Sequence, residues 1–257
     1  MSILPPRAAF PGPALPAERA GVTDAGQSRF DGCLAAVALP RAEVASLLPA
    51  ELALAAGAAE GDTHPLVLMF GEQLDCAMIV GGLLVPTQLR YWEFCLAIPY
   101  VVRRGGRYLH TYVARMYSSW APVVWDGNAR FGYAKERADM RWEGDLFIAT
   151  GDDGGLRWHA AVQQDGAWGR AAPPGFAPLA EALALPIAGR RADGSWVESY
   201  FRLGLGDALL RPARAVLWFD TPLIPGLAPQ VCHAPAGAAL AMRGMTWRLT
   251  HPVACRW

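Results

Sequence analysis

Short segments of β-type residues, separated by tight turns, recur along most of this chain and constrain its fold more than any other feature. Turn sequences such as Arg-Gly-Gly at residues 104–106 and Gly-Asp-Asp-Gly-Gly at residues 151–155 join neighbouring segments. Connections this short cannot carry the crossovers that repeated parallel strands need, so we expect mostly antiparallel pairing. The predicted strands are residues 29–37, 66–70, 91–103, 108–116, 140–150, 156–163, 196–203, 215–219 and 245–250.

Helical signals are few by comparison. Residues 40–52 begin with a proline, carry apolar side chains at Val44, Leu47 and Leu48, and contain Pro49, which together predict one short helix. Residues 1–25 are rich in proline and alanine and predict a flexible arm, whereas residues 26–257 are expected to form a single domain. The predicted fold class is α+β, rich in β-structure, with a mostly antiparallel sheet and few short helices.

The composition excludes several classes of protein. Hydrophobic residues make up 53% of the chain and charged residues 18%, which excludes a disordered protein. The 23 basic and 23 acidic side chains cancel, so there is no broad positive field for nucleic acid or anionic lipid. No apolar run approaches the ~20 residues of a membrane span, and the N-terminal sequence lacks the pattern of a secretory signal. We expect a cytoplasmic protein that binds neither nucleic acid nor membranes.

Metal and cofactor motifs are missing from the sequence. The five cysteines are an odd and dispersed set without a CxxC pair or a histidine at ligand spacing, which is typical of reduced, buried thiols. The five histidines are equally dispersed, and neither HExxH, GxSxG, GxGxxG nor a phosphate-binding loop occurs. We therefore expect no metal and no cofactor. The cysteines are Cys33, Cys76, Cys95, Cys232 and Cys255.

One basic residue differs from all the others. Of the 23 basic side chains, 22 are arginines and only Lys135 is a lysine. An arginine stays protonated, whereas a desolvated lysine amine can lose its proton and attack a carbonyl. An amine with the ordinary pKa of about 10.4 is unprotonated in roughly one part in 2,500 at pH 7, and an apolar pocket lowers an amine pKa by up to about 3 to 5 units. The alternative is that a single lysine survived compositional drift by chance.

Two segments place this lysine in a wider pattern. Residues 90–99 read RYWEFCLAIP, and residues 127–136 read GNARFGYAKE. Their order and spacing resemble the acetoacetate decarboxylase family, which has an E-x-x-x-A-I-P strand followed by G-R-E-x-x-G-[FY]-P-K-K. Residues 33–52 are also similar to the strand, helix and proline stop of that family, so the resemblance covers about residues 29–145.

The resemblance implies a barrel-like sheet, a homo-oligomer and a cofactor-independent lyase that acts on a small oxo acid. Lys135 falls on the family's Schiff-base lysine, and Glu93 falls on the strand glutamate, which assists proton transfer. Arg29 lies within one residue of the family's active-site arginine, so Arg29 or another arginine of the pocket is expected to hold a substrate carboxylate. Phe131 and Tyr133 are expected to form an apolar wall that contacts the substrate.

The chain also departs from the family pattern. Gly127, Asn128 and Ala129 replace the family's G-R-E, so two charged residues are lost. Glu136 replaces the second lysine, and its charge would favour the ammonium form of Lys135 if both side chains faced one pocket. In an extended segment successive side chains point to opposite faces, which would turn Glu136 away.

Three functions are compatible with this pattern. The leading hypothesis is decarboxylation of a β-keto acid through a lysine iminium. An aldolase-dehydratase of the same superfamily would use the same lysine on a pyruvate-like acid. The loss of charged motif residues also fits a non-catalytic member that binds a small molecule or serves a structural role.

Overall fold

The computed structural model describes Leu4 and residues 21–57, 62–173, 176–222 and 229–257. Most of the arm predicted for residues 1–25 lies outside the described residues. Its last two positions, Asp24 and Ala25, already belong to the first strand.

Strands dominate the described residues. The strands are β1 Asp24–Pro40, β2 Leu52–Leu54, β3 Thr63–Val80, β4 Leu83–Arg103, β5 His110–Ser118, β6 Lys135–Glu143, β7 Leu146–Gly151, β8 Leu156–Gln164, β9 Ile187–Arg190, β10 Trp196–Ser199, β11 Phe201–Gly204, β12 Leu209–Phe219, β13 Gln230–Thr250 and β14 Val253–Ala254. The helices are α1 Arg41–Ser46, α2 Ala121–Asp126, which continues into a π-helical turn at Gly127–Phe131, and α3 Phe176–Leu183.

Nine of these strands close into a mixed barrel. Their order is β5-β6-β7-β8-β12-β13-β1-β3-β4, and β4 pairs with β5 to complete the circle. All of these pairings are antiparallel except β5 with β6, which is parallel because α2 and the π-helical turn carry the chain back between them. The prediction of a mostly antiparallel, barrel-like sheet with few short helices is confirmed.

Several predicted strand boundaries are wrong. The predicted strand at residues 140–150 is divided, because Gly144 adopts a positive φ of 62° at a turn between β6 and β7. The predicted strand at residues 196–203 is also divided, since β10 pairs with β9 and β14 whereas β11 pairs with β13. Consecutive glycines, Gly81 and Gly82, both with positive φ, join β3 to β4 in a hairpin that the sequence analysis did not identify.

The two faces of the barrel strands pack into different environments. All nine barrel strands contribute to one aromatic and aliphatic core, in which the ring of Phe94 lies 3.9 Å from that of Trp158, centroid to centroid. Because side chains alternate along a strand, Glu93 and Cys95 point to the other side of β4 from Phe94. That other side borders a cavity.

Among the described residues, no helix has the length and apolar character that crossing a membrane requires.

Candidate active site

A cavity of about 460 Å³ lies against β4, β5 and the start of β6. Its walls are mainly apolar and include Met69, Cys95, Val113, Met116 and Ile187. The π-helical turn, β11 and the end of β13 close further sides of it. Such a largely apolar cavity with a few polar groups is the usual form of a small-molecule site.

Lys135 and Glu93 form an ion pair inside this cavity. The Lys135 Nζ donates a hydrogen bond of 2.8 Å to the Glu93 Oε2, and the two side chains are only 7% and 5% exposed. Strand register brings them together, since Cys95 of β4 lies opposite Met116 of β5, which in turn lies beside Lys135 of β6. β5 thus lies between the strands of the two residues, and the barrel turns both side chains to one face.

Asn128 holds the backbone of Lys135. Its side-chain Oδ1 accepts a hydrogen bond of 2.5 Å from the Lys135 amide, and its Nδ2 donates one of 2.9 Å to the Lys135 carbonyl. Asn128 thus stands where the family motif has arginine and performs a positioning role through its amide group. A side chain at the neighbouring Gly127 would displace the Lys135 side chain, because a Cβ there would lie 2.6 Å from the Lys135 Cδ. Ala134, directly before Lys135, has a positive φ of 49°, which is a strained value for a residue other than glycine. The Lys135 side chain that follows it lines the cavity.

Glu93 has a second polar neighbour that the sequence analysis missed. The Gln73 Nε2 donates a hydrogen bond of 3.4 Å to the Glu93 Oε1, and the Gln73 Oε1 accepts one of 2.8 Å from the indole of Trp247. Gln73 is fully buried. These contacts fix the rotamer of the Glu93 carboxylate, so that its second oxygen faces Lys135.

Phe131 and Tyr133 both line the cavity, and their rings stack with a centroid distance of 5.4 Å. The Tyr133 hydroxyl makes a hydrogen bond of 2.5 Å with the Ser199 hydroxyl. Burial raises the pKa of Tyr133, against the opposing effect of the Ser199 hydrogen bond, so its hydroxyl stays protonated. The two rings therefore offer an apolar surface with one neutral polar group.

Arg29 lies elsewhere. Its guanidinium forms an ion pair of 2.9 Å with Asp75, its side chain is 48% exposed, and it does not line the cavity. The structure thus does not bring Arg29 to Lys135. The reason is strand geometry: Arg29 pairs with Thr246 and Leu74 along β1, where neighbouring Ser28 is the buried side chain.

Arg130 is the arginine that borders the cavity among the described residues. It forms an ion pair of 3.1 Å with Asp126 and a hydrogen bond of 2.9 Å with His251 Nδ1. Its guanidinium also lies 5.3 Å from the centre of the Phe131 ring. The sequence analysis allowed for another pocket arginine without identifying Arg130.

Glu136 turns away from the site, as an extended segment requires. It is exposed and does not line the cavity, whereas Lys135 beside it does. Its charge instead contributes to raising the pKa of Tyr117, where burial is the larger cause. The carboxylate that replaces the family's second lysine is therefore outside the cavity.

Two further potential nucleophiles, Cys95 and Cys76, line the cavity, and burial raises the pKa of both thiols. Burial, aided by the charge of Glu93, raises the pKa of the Cys95 thiol to about 12. A thiol with such a pKa is not ionised at neutral pH and is a poor nucleophile. The geometry therefore favours the Lys135 amine as the attacking group, with Glu93 in hydrogen-bonding distance to receive or return its proton.

Comparison with known proteins agrees with this architecture. No family model and no curated protein sequence matches the chain. Several solved structures share its fold, among them three enzymes. The first is the enduracididine biosynthesis enzyme MppR, complexed with the condensation product of pyruvate and imidazole 4-carboxaldehyde. It is 11% identical with a TM-score of 0.60, and the match covers 90% of this chain and 89% of the MppR chain.

The other two are decarboxylase-type proteins. Acetoacetate decarboxylase from Legionella pneumophila is 14% identical with a TM-score of 0.53, and the match covers 96% of this chain and 94% of the decarboxylase chain. An acetoacetate decarboxylase-like enzyme from Sphingomonas wittichii RW1 is 15% identical with a TM-score of 0.56, and the match covers 95% of this chain and 100% of that enzyme's chain. The chain therefore has the acetoacetate decarboxylase-like fold.

Proposed function

We propose that this protein is an acetoacetate decarboxylase-like enzyme that forms a Schiff base between Lys135 and an oxo acid. The observation that carries the proposal is the 2.8 Å contact between the Lys135 amine and the Glu93 carboxylate in an apolar cavity. It is supported by the sequence, in which the only lysine occupies the position of the family's Schiff-base residue.

The first half of the reaction assembles the iminium. Glu93 Oε2 accepts a proton from the Lys135 Nζ, and the neutral amine attacks the ketone carbon of the substrate. The protonated Glu93 then returns its proton to the carbinolamine hydroxyl, which leaves as water. The product is a protonated imine, in which a C=N bond replaces the ketone C=O.

The second half uses the iminium as an electron sink. In a β-keto acid, the bond between the carboxylate carbon and the α-carbon breaks, carbon dioxide leaves, and the electron pair moves through the new C=C bond to nitrogen. Protonation of the resulting enamine at carbon and hydrolysis of the imine release the ketone and regenerate Lys135. An apolar cavity favours this step, because the carboxylate loses its charge as carbon dioxide departs.

Arg130 is our candidate for holding the substrate carboxylate, in place of Arg29. A guanidinium binds a carboxylate through paired hydrogen bonds. Arg130 borders the cavity, and among the described residues its guanidinium forms an ion pair with one carboxylate, that of Asp126.

The size of the cavity supports a substrate larger than a four-carbon acid. A volume of about 460 Å³ lies within the range of about 300–1,000 Å³ that is usual for pockets of drug-sized ligands, whereas acetoacetate has seven non-hydrogen atoms. An oxo acid with an apolar substituent would fill the space beside Met69, Val113 and Ile187.

An aldolase-dehydratase reaction is the second candidate. The same cavity has room for a pyruvate-like acid on Lys135 together with an aldehyde, and a condensation product of pyruvate is bound in the similar structure of MppR. The two reactions differ in outcome, since decarboxylation releases carbon dioxide and condensation joins two substrates.

Borohydride trapping tests the proposal. The protein is incubated with sodium borohydride and one acid at a time, and its intact mass is then measured. The acids are pyruvate, acetoacetate, and 3-oxo acids that carry longer alkyl or aryl groups. We expect one adduct per chain with at least one acid and none in the Lys135→Arg variant, which retains the positive charge. Carbon dioxide release and product analysis then separate decarboxylation from condensation. A wild-type protein that forms no adduct with any of these acids would support the non-catalytic alternative.

A further inference from the structure

A second cluster of reactive side chains lies apart from the cavity. His110 begins β5, Glu198 lies in β10, and Cys255 follows β14. The three residues are far apart in the sequence, and they meet because β10 pairs with β14 on one side and with β9 on the other, while β9 pairs with β5. His110 and Glu198 are completely buried, and Cys255 is half-buried.

The ligand atoms of these residues converge on one point. The His110 Nε2 lies 3.3 Å from the Glu198 Oε2 and 3.6 Å from the Cys255 Sγ, and all three ligand atoms lie within 4.8 Å of one another. Tetrahedral zinc, with bonds of ~2.05 Å to nitrogen, ~2.0 Å to oxygen and ~2.3 Å to sulfur, separates its nitrogen from its oxygen by ~3.3 Å and from its sulfur by ~3.6 Å. The two distances from His110 therefore match those of a zinc site.

The polar contacts of His110 are suited to a cation at this point. Its Nδ1 lies 3.2 Å from the Tyr108 carbonyl oxygen, which can only accept, so Nδ1 carries a hydrogen. A neutral imidazole has no second hydrogen for Nε2, yet Nε2 faces a carboxylate oxygen. In the tautomer that carries its hydrogen on Nδ1, a proton or a metal ion therefore lies between Nε2 and Oε2.

The distances and the ligand set fit a metal ion. A charged N–H···O⁻ hydrogen bond is normally about 2.7–2.9 Å long, whereas Nε2 and Oε2 are 3.3 Å apart. The thiol of Cys255 on a third side adds a ligand that binds zinc strongly as a thiolate. A histidine whose other nitrogen donates to a backbone carbonyl is also the usual arrangement around a metal.

The Glu198 carboxylate is held in place by the groups around it. Its Oε1 accepts hydrogen bonds of 3.0 Å from both the Arg256 Nε and the Tyr200 hydroxyl, and its Oε2 accepts one of 3.1 Å from the Arg256 amide. These contacts fix the orientation of the carboxylate, as partners of ligating carboxylates do in metal sites. They also keep the positive guanidinium on the oxygen that faces away from His110.

We propose that His110, Glu198 and Cys255 bind a zinc ion that joins β5, β10 and the segment after β14. Nitrogen, oxygen and sulfur ligands together suit zinc better than magnesium or calcium, which prefer oxygen alone. Water supplies the fourth ligand. The site is separate from the Lys135 cavity, and its test does not depend on any activity of that cavity.

Metal titration of the full chain tests this site. Protein stripped with a chelator is titrated with Co²⁺ and, in a second experiment, with Zn²⁺, and the bound metal is counted by elemental analysis. We expect one ion per chain, a thiolate-to-cobalt charge-transfer absorption, and a melting temperature that rises with zinc. The Cys255→Ser variant should lose the charge-transfer absorption. It should also bind the metal at least about 100-fold more weakly, since losing a residue that only contacts a metal ligand already weakens metal binding by up to about 100-fold. The matched control is Cys76→Ser, which changes the other half-buried cysteine among the described residues and should bind as the wild type does.

Two results would overturn the proposal. One is a wild-type protein that binds neither ion at micromolar concentration. Nuclear magnetic resonance that shows hydrogens on both ring nitrogens of His110 would then identify the cation as a proton. The other is a Cys255→Ser variant with an unchanged cobalt spectrum. Since Cys255 is half-buried and serine is nearly isosteric, this variant is expected to fold.

Discussion

Glu93 and Glu198 are two buried carboxylates in one sheet, and they have opposite surroundings. Glu93 is 4% exposed, contacts Lys135, and has one longer hydrogen bond from Gln73. Glu198 is 0% exposed and accepts hydrogen bonds from the Tyr200 hydroxyl and from both the backbone and the side chain of Arg256. Glu93 faces a cavity, whereas Glu198 is packed among its donors.

The difference shows how a fold uses the same residue for two purposes. Although burial opposes the charged form, contacts with His110, the Arg256 amide and Tyr200 hold the pKa of Glu198 down to about 2. Such a group stays ionised and organises its neighbours. A carboxylate with few fixed donors beside an amine is instead suited to exchange a proton with it.

The largest expected effect is on the rate of iminium formation in Glu93→Gln. The amide cannot accept the Lys135 proton, and loss of a general acid–base group costs about 10²- to 10⁴-fold. The measurement is the single-turnover rate of borohydride-trapped adduct formation. Glu143→Gln, at an exposed carboxylate paired with Arg141, serves as the control and should keep the wild-type rate. A Glu93→Gln rate within about threefold of wild type would contradict the role given to Glu93.

The next effect is on stability in Glu198→Gln. The amide retains the shape of the side chain but removes the charge that Arg256 and the buried His110 face, and breaking a buried pair costs about 3–5 kcal/mol. We expect the free energy of unfolding in the presence of a chelator to fall by about 3 kcal/mol, as measured by denaturant titration. A loss below about 1 kcal/mol would mean that the network around Glu198 contributes little.

The smallest effect is a pH dependence of stability that separates Glu198 from a third buried group, His64. The folded pKa of Glu198 is lowered from 4.5 to about 2, so its contribution is complete above pH 4.5 and is lost as the pH falls towards 2. Burial lowers the pKa of His64 from 6.5 to about 4, so the folded state resists its protonation and stability is lost between pH 6.5 and 4. Each group contributes a slope of at most about 1.4 kcal/mol per pH unit.

Variants assign these two slopes. Denaturant titrations from pH 7 to pH 2.5 should show that His64→Gln flattens the curve between pH 6.5 and 4, and that Glu198→Gln flattens it below pH 4.5. An unchanged slope in either variant would show that another group titrates in that range.

The positions of Glu93 and Lys135 could be predicted from the sequence because local features mark them. Lys135 is the only lysine, and Glu93 lies in a strand that alternates with the core residues Phe94 and Leu96. Gln73 and Trp247 carry no such mark. Their hydrogen bond joins residues 174 positions apart, and only the pairing of β1 with both β3 and β13 brings them together.

The position of Arg29 away from the cavity has the same origin. An offset of one residue from the family's arginine is small in the sequence, but on a strand it moves a side chain to the other face of the sheet. Arg29 consequently pairs with Asp75, and Arg130 of the π-helical turn takes a place at the cavity. The cysteines were judged by their spacing alone, which could not show Cys255 beside His110.

The sequence by itself determined where most of the strands lie, that they pair mostly antiparallel, and which amine is suited to attack a carbonyl. These properties depend on alternation, turns and residue chemistry, which act over a few residues. The tertiary structure alone decided that Glu93 faces Lys135, that Glu136 turns away from it, and that His110, Glu198 and Cys255 converge. Contacts of this kind depend on strand register and on the closure of the barrel, where a shift of one residue exchanges the two faces of a strand.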